Sequence, residues 1–294
     1  MMPIYEENFE SVSDLWQHVS PISPFVEKLK FNTIYRGQAD SEWDLTPGAF
    51  RQDVISKYRR NKQDYKRYNH VIEFEYFNLN SFLIGCDQQG IQIPFDSNEF
   101  REAMEFPEFV SRYGSSSDDF QWPDKEYYPL LAKAQHHGMP TRLLDWTKSS
   151  LVAMYFAATQ ALYSNNKSER MAIWVIDAHE TILSSVGLDL IQTAGSVSKN
   201  LAAQKGLFLL YKEPKQSYKD DFYPELESSV INKLLAQNNM INVYKFTLPT
   251  CLAGELYMLC YKFNVSATTL FPGPDGVAKG VLEFDLAKRS AGIL

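Results

Sequence analysis

The segment at residues 134–159, AQHHGMPTRLLDWTKSSLVAMYFAAT, restricts the local fold more than any other part of the chain. The residues before it follow a helical pattern that must stop here, because Gly138 favours a helix end and Pro140 cannot continue a helix. TRLLDW then has the pattern of an extended segment, and Ser149 or Ser150 is placed to cap a second helix. The sequence therefore predicts helix, strand and helix in succession, with titratable side chains at the junctions.

Apolar periodicity predicts further strands and helices in mixed order along the chain. The predicted strands are at 31–38, 171–177, 206–211 and 241–248. The predicted helices are at 9–20, 68–83, 98–112, 125–138, 149–163, 225–238, 250–263 and 273–288. Because these elements lack a regular strand–helix–strand alternation, the order favours an α+β fold with a mixed sheet and surrounding helices.

Charge and composition narrow the classes of partner. A formal net charge of −7 weighs against a dedicated duplex-binding protein, because nonspecific affinity for DNA depends on cations. The segment 57–70, KYRRNKQDYKRYNH, is either a basic surface on which bases stack or a solvated helix start whose tyrosines pack inward. The three cysteines show no CxxC spacing, and no secretory leader or membrane-length apolar run is visible. We expect a cytoplasmic protein with reduced thiols and no membrane partner.

Several polar residues are candidates for a binding site. Arg36 in YRGQ offers a fork of N–H donors beside Gly37, where a ligand can approach the backbone; otherwise Arg36 pairs with an acidic residue. Within TRLLDWT, strand alternation places Arg142 and Asp145 on opposite faces. We expect Asp145 to be partly buried, either paired with an arginine, capping the following helix or binding substrate.

Two adjacent histidines follow the predicted helix at 125–138. His136 and His137 would point about 100° apart on a helix, which does not suit chelation of one metal ion. The P-loop, GxGxxG, HExxH and GxSxG motifs are all missing from the sequence. The glutamates Glu225 and Glu227 suit the first turn of a helix, where acidic side chains favour the dipole. No metal site is predicted.

Four sequence blocks together resemble the FRG domain family, which is named for an N-terminal (F/Y)RG motif. They are YRGQ at 35–38, AQHHGMPTRLLDWTKSSLVAMYFA at 134–157, AAQKGLF at 202–208 and TLFPGPDGVAK at 269–279. The second block fills the pattern QHxGxPTRLLDWT, and Gln204, Gly206 and Phe208 fit QxGxF. The resemblance implies an FRG domain at 31–294 preceded by a helical extension at 1–30.

The order of these parts is also similar to that of ADP-ribosyltransferases, which bind NAD in the cleft of a split sheet. That resemblance implies that Arg36 holds the NAD phosphates or ribose and that Thr147 with Ser149 supplies the hydroxyl strand. It also implies a glutamate that directs transfer. Glu227, Glu255 and Glu283 have the required order in the chain, and Gln204 occupies a position that could replace the glutamate.

The resulting hypothesis is a protein that binds NAD or a related nucleotide in a polar cleft and acts as an ADP-ribosyltransferase or another NAD-consuming enzyme. The proposed catalytic residues are Arg36, His136, Arg142 and Asp145. The proposed substrate-binding residues are Tyr35, Gly37, Gln38, Gln135, His137, Thr141, Trp146, Thr147 and Gln204.

Two other classes of function remain open from the sequence. In the first, the protein is a non-catalytic binding or effector module whose motif residues form a buried polar network. In the second, it is a nuclease or phosphoester hydrolase that uses His136 and Asp145 with a metal. A protein or nucleic-acid target of modification is a further expectation, and for a small stand-alone protein of this kind we also consider a role as a toxin or in phage defence.

Overall fold

The computed structural model describes residues 4–51, 53–54, 57, 68–113, 122–164, 168–192, 199–212 and 230–293. Most of the basic segment 57–70 lies outside these residues, as do Glu225 and Glu227. The family-like segments at 31–38 and 134–159 are all included.

Seven strands form one mixed sheet in the order β1–β7–β4–β2–β3–β6–β5. Strands β1 and β7 are parallel, and the other neighbours are antiparallel. The strands are β1 (Tyr5–Asn8), β2 (Ile34–Gln38), β3 (Leu143–Thr147), β4 (Arg170–Asp177), β5 (Leu188–Ile191), β6 (Gly206–Tyr211) and β7 (Asn242–Pro249).

Helices cover both faces of the sheet, and each face has its own apolar core. The helices on one face are α1 (Val12–Val19), α2 (Pro24–Glu27), α7 (Ser150–Tyr163), α11 (Ala253–Lys262), α12 (Ala267–Leu270) and α13 (Pro274–Ser290). Those against the other face are α3 (Tyr68–Gln88), α4 (Asn98–Ala103), α5 (Phe106–Tyr113), α6 (Tyr128–His136), α8 (Glu180–Ser185) and α10 (Val230–Leu235). The short helix α9 (Lys199–Ala203) precedes β6.

The predicted α+β class with a mixed sheet and surrounding helices is confirmed. Of the two candidate caps, the Ser149 side chain accepts from Val152 N and begins α7. Helix α6 ends at His136, and Gly138 then adopts a φ of 89°, which favours glycine. Strand β5 was not predicted, because LDLI is only four residues long within a polar region.

The N-terminal segment is not only helical, as the sequence suggested. Strand β1 pairs with β7 in the register Tyr5 with Tyr244, so residues before position 31 contribute a strand to the same sheet. The polar run YEEN has no apolar alternation to reveal this strand.

The sheet opens between β2 and β3. These strands share a single register pair, Tyr35 opposite Thr147, whereas β2 and β4 pair over five residues. No other register pair joins the described residues of these two strands, and Arg36 of β2 and Asp145 of β3 line a common cleft. The mixed sheet is thus split at β2–β3.

Gly37 allows helix α7 to pack directly on β2. A Cβ atom built at Gly37 would collide with the Ala153 carbonyl and lie 2.7 Å from Ala157 N. The missing side chain therefore makes room for a helix, whereas the sequence suggested room for a ligand. Both atoms in the way belong to the helix backbone, so the clash cannot be relieved by moving one flexible side chain.

Replacing Gly37 by alanine is expected to lower the free energy of unfolding by about 1–3 kcal/mol, because the added methyl overpacks the contact between β2 and α7. Chemical denaturation measures the change. Gly85→Ala is the matched control, since Gly85 lies in α3 and a Cβ there meets nothing within 4 Å. That substitution should raise stability by roughly 0.5–1 kcal/mol. Equal effects at both positions would contradict the packing argument.

Candidate functional site

A cleft of about 390 Å³ lies where β2 and β3 separate. Its walls combine β2, the end of α6, β3, one side of α7 and the segment joining α9 to β6. The residues that define its chemistry are Tyr35, Arg36, Gly37, Arg51, Gln135, His136, Asp145, Trp146, Thr147, Phe156, Gln160, Gln204, Phe208 and Phe271. Nine of the thirteen sequence-predicted site residues line this cleft.

Arg36 bridges the opening of the sheet. Its Nη1 donates to the main-chain carbonyl of Asp145 at 2.7 Å and so links β2 to β3 through a side chain. Its Nε is buried and has no hydrogen-bond partner among the described residues. A buried donor without a partner is costly, and an anionic ligand in the cleft would satisfy it.

Arg51 places a second guanidinium at the cleft. Its Nε donates to the Thr46 carbonyl at 3.2 Å, and the residue is exposed. Burial lowers the pKa of Arg36 to about 10; Asp145 opposes this shift and Arg51 adds to it by charge repulsion. Arg36 is therefore cationic at neutral pH, and a bound anion would offset its repulsion with the Arg51 guanidinium.

Asp145 is held by a chain of polar side chains. The Thr141 hydroxyl donates to Gln135 Oε1, and Gln135 Nε2 donates to Asp145 Oδ1 at 2.8 Å. Asp145 itself is exposed, so the expectation that it is partly buried is wrong. The sheet opens at this position, and the carboxylate therefore faces solvent and the cleft.

His136 also lines the cleft, at the last residue of α6. Desolvation lowers the pKa of His136, and the neighbouring His137 lowers it further, against the opposing effect of Asp145. The imidazole is consequently neutral at pH 7, which suits a proton acceptor. His137 does not line the cleft; it is exposed, and its ring lies 6.4 Å from that of Phe82.

Aromatic rings form the apolar part of the cleft. Trp146 is 3 % exposed, and its indole Nε1–H has no hydrogen-bond partner in the part of the chain that the structure describes. Phe156 and Phe271 add ring surface from α7 and from the residue after α12. Phe156 is half-buried, so part of its ring is open to the cleft. The cleft thus combines two guanidinium groups and one carboxylate with the flat apolar surfaces of aromatic rings.

Arg142 does not line the cleft, and the expectation of a catalytic Arg142 there is wrong. The side chain is fully buried and forms an ion pair with Glu75 of α3, with Nε to Oε2 at 2.6 Å. Its Nη1 donates to the carbonyls of Trp122 and Tyr211 at 3.2 and 3.4 Å. A side chain sealed in this way cannot touch a substrate.

Three other predicted substrate-binding residues have mainly structural contacts. Gln38 is buried and accepts from Trp174 Nε1 at 2.7 Å, outside the cleft. Thr141 is buried behind Gln135. The Thr147 hydroxyl lines the cleft but donates to the Gln204 carbonyl at 2.7 Å, and so ties β3 to the segment before β6.

Of the candidates for the transferase glutamate, only the replacement residue Gln204 lines the cleft. Its Nε2 donates to the Leu270 carbonyl at 3.2 Å. Glu283 is fully buried and accepts from the Tyr155 hydroxyl at 2.8 Å, whereas Glu255 is exposed on α11. Glu227 lies outside the described residues. Asp145 is the one carboxylate among the described residues that line the cleft.

Residues 31–166 match the family model described as the FRG domain. The chain contains an FRG domain. The matched part of the FRG domain supplies β2, α6, β3 and α7, which carry Arg36, Asp145 and most of the cleft. Searches of curated proteins and of solved structures found no match for this chain.

The opposite wall of the cleft lies beyond the matched residues. Gln204, Phe208 and Phe271 come from the two later family-like blocks, and Leu201 directly precedes the first of these blocks. The strands β1 and β4 to β7 complete the sheet around β2 and β3. In the described part of the chain, no helix is long and apolar enough to cross a membrane. Nor does that part contain a group of three or more His, Cys, Asp or Glu residues that could hold a metal ion.

Arg51 was missed by the sequence reasoning. It ends the turn-rich stretch ADSEWDLTPGAFR, which has no periodicity from which the direction of a side chain could be predicted. Its one signal is its place shortly after YRGQ, together with the 3₁₀ turn at Gly48–Phe50 that returns the chain toward the cleft.

Proposed function

We propose that the FRG-domain cleft binds NAD or a related nucleotide and promotes cleavage of the bond between nicotinamide and ribose. The observation that carries this proposal is the convergence of Arg36, Arg51 and Asp145 on one open cleft with aromatic walls. Two guanidiniums suit a diphosphate, and ring surfaces suit a base. The volume of about 390 Å³ is within the usual range for a ligand pocket and would enclose only part of a dinucleotide.

The chemistry assigned to Asp145 is electrostatic. When the C1′–N bond breaks, its electron pair leaves with nicotinamide, which departs as a neutral molecule, and the ribose carries a positive charge. A carboxylate facing that carbon stabilises the developing charge. Gln135 and Thr141 are positioning residues in this scheme, since they fix one Asp145 oxygen and leave the other available.

The second half of the reaction needs a nucleophile and a proton acceptor. Water or a hydroxyl of a target molecule would attack the sugar carbon, form the new C–O bond and release one proton. His136 is neutral at pH 7 and lines the same cleft, so we assign it as the acceptor of that proton. Water as nucleophile gives NAD hydrolysis, and a target group gives ADP-ribosyl transfer.

Arg51→Gln is expected to weaken NAD binding about tenfold, because one charge-assisted contact to phosphate is lost. Isothermal titration of the purified protein with NAD measures the affinity. The fold should persist, since the exposed Arg51 side chain donates only to the Thr46 carbonyl among the described residues. Arg289→Gln, a change to an exposed arginine on α13, is the matched control and should leave the affinity unchanged.

Measurements on the wild-type protein are the first test of the proposal. Thermal shift and nicotinamide release are measured with NAD and NADP, and the absence of both effects would reject a nucleotide cleft. Binding without nicotinamide release would instead favour the non-catalytic binding module. One observation already supports part of that alternative, since Arg142 belongs to a buried polar network and not to the cleft.

A further inference from the structure

A second cavity, of about 640 Å³, lies near the edge of the sheet formed by β1 and β7. It shares no lining residue with the FRG-domain cleft. All of its lining residues except Phe31 lie outside the matched range 31–166. The lining residues include members of β1, α1, α2, the loop that follows α2, the start of α8 and the start of β7. This cavity is therefore a feature of the present chain that the family match does not describe.

Aromatic rings line the cavity in two groups. His18 and Phe25 stack with ring centroids 4.6 Å apart, and Phe25 meets Tyr244 edge to face at 4.9 Å. Phe31 meets His179 edge to face at 6.2 Å. Such surfaces favour a flat aromatic ligand, because rings gain from stacked and edge-to-face contacts.

Two lysines give the cavity its unpaired charge. Lys28 and Lys30 are exposed, and neither ammonium group has a hydrogen bond or ion pair with any other described residue. The carboxylate of Glu7 accepts a hydrogen bond from the Tyr5 hydroxyl, and it lies 3.9 Å from His18 Nε2, too far for a hydrogen bond. His18 Nε2 is buried and has no hydrogen bond, so a donor or acceptor site remains open at the cavity wall.

The buried Asp177 fixes the loop that carries the lysines. Its carboxylate accepts from the main-chain N–H groups of Lys30 and Phe31, at 3.2 and 2.9 Å, and from the Thr33 hydroxyl at 3.2 Å. These donors satisfy hydrogen-bond acceptor sites on the two carboxylate oxygens. They also fix the backbone of Lys30 and Phe31, two residues that line the cavity.

We propose that this cavity binds a planar aromatic molecule that carries an anionic group such as a carboxylate, sulfonate or phosphate. The ring lies against Phe25 and Tyr244, and the anion lies near Lys28 and Lys30. The proposal does not depend on the function proposed for the cleft.

Two fluorescent probes test it with the full chain. Anilinonaphthalene sulfonate is aromatic and anionic, and phenylnaphthylamine is its uncharged counterpart. We expect one sulfonate bound per chain, and we expect Lys28→Gln with Lys30→Gln to raise its Kd about tenfold while leaving phenylnaphthylamine binding unchanged. The matched control, Lys125→Gln with Lys262→Gln, changes two exposed lysines away from the cavity and should have no effect.

A second variant tests the location without removing an apolar side chain. Phe25→Leu keeps the packing but loses the ring, so both probes should bind more weakly. Arg51→Gln, in the cleft, should alter neither. The proposal is overturned if the lysine pair has no effect on the sulfonate, if Phe25→Leu leaves both probes unchanged, or if Arg51→Gln releases the sulfonate.

Discussion

Asp145→Asn is expected to reduce nicotinamide release from NAD about 100-fold or more, with little change in NAD affinity. The substitution removes the negative charge that would stabilise the cationic ribose, and the loss of one well-placed electrostatic contact typically costs this much in rate. An asparagine oxygen can still accept from Gln135 Nε2, so the local structure is retained. Steady-state kinetics separates the two effects, because kcat should fall while KM stays nearly constant.

Two further variants make the Asp145 prediction specific. Asp285→Asn changes an exposed carboxylate that pairs with Arg289 on α13, far from the cleft lining, and should retain full turnover. Gln135→Leu leaves Asp145 charged but unsupported, and we expect an intermediate loss of kcat if positioning matters. Full turnover by Asp145→Asn would remove the assigned electrostatic role, even if NAD still binds.

Much of the fold follows from local signals that act within a few residues. The Ser149 cap, the Gly138 stop and the apolar run of β4 each reflect a short-range requirement of the backbone or the core. Strands β1 and β5 lack such signals. Each is stabilised by pairing with another strand, β7 and β6 respectively, and a four-residue segment alone does not reveal its partner.

In the candidate site, too, some features follow from local sequence signals and others depend on residues far away in the chain. Gln135 and His136 lie at the end of α6, because Gly138 and Pro140 force this helix to stop beside β3. Arg36 and Asp145 lie within β2 and β3. Strand alternation predicts opposite faces for Arg142 and Asp145, but it does not determine which of the two side chains is exposed. That outcome depends on Glu75, which is 67 positions from Arg142 and buries it, and on the split of the sheet, which exposes Asp145. Neither long-range effect can be read from TRLLDWT.

The cluster around Arg142 stabilises the junction of three elements. Glu75 Oε1 accepts from Arg142 N at 2.7 Å, and its other oxygen accepts from the guanidinium and from Trp122 Nε1 at 3.2 Å. The Cζ atom of Arg142 lies 5.8 Å from the centre of the Phe50 ring. The pair therefore connects α3 to the start of β3 and to the loop before α6.

Arg142→Ala is expected to lower the free energy of unfolding by about 3–5 kcal/mol, because it leaves the Glu75 carboxylate buried without its cation. Chemical denaturation followed by tryptophan fluorescence measures the loss. Arg289→Ala, which breaks an exposed ion pair on α13, is the control and should leave the denaturation midpoint unchanged.

A double-mutant cycle distinguishes a coupled pair from two independent contacts. Glu75→Leu alone should also destabilise the protein, since it leaves the guanidinium buried without its carboxylate. Arg142→Ala combined with Glu75→Leu removes both charges, so its loss should be smaller than the sum of the two single losses. Additive losses would show that the two side chains act separately. Because Arg142 lies outside the cleft, any variant that stays folded should retain NAD affinity, and a specific loss of affinity would return Arg142 to the binding site.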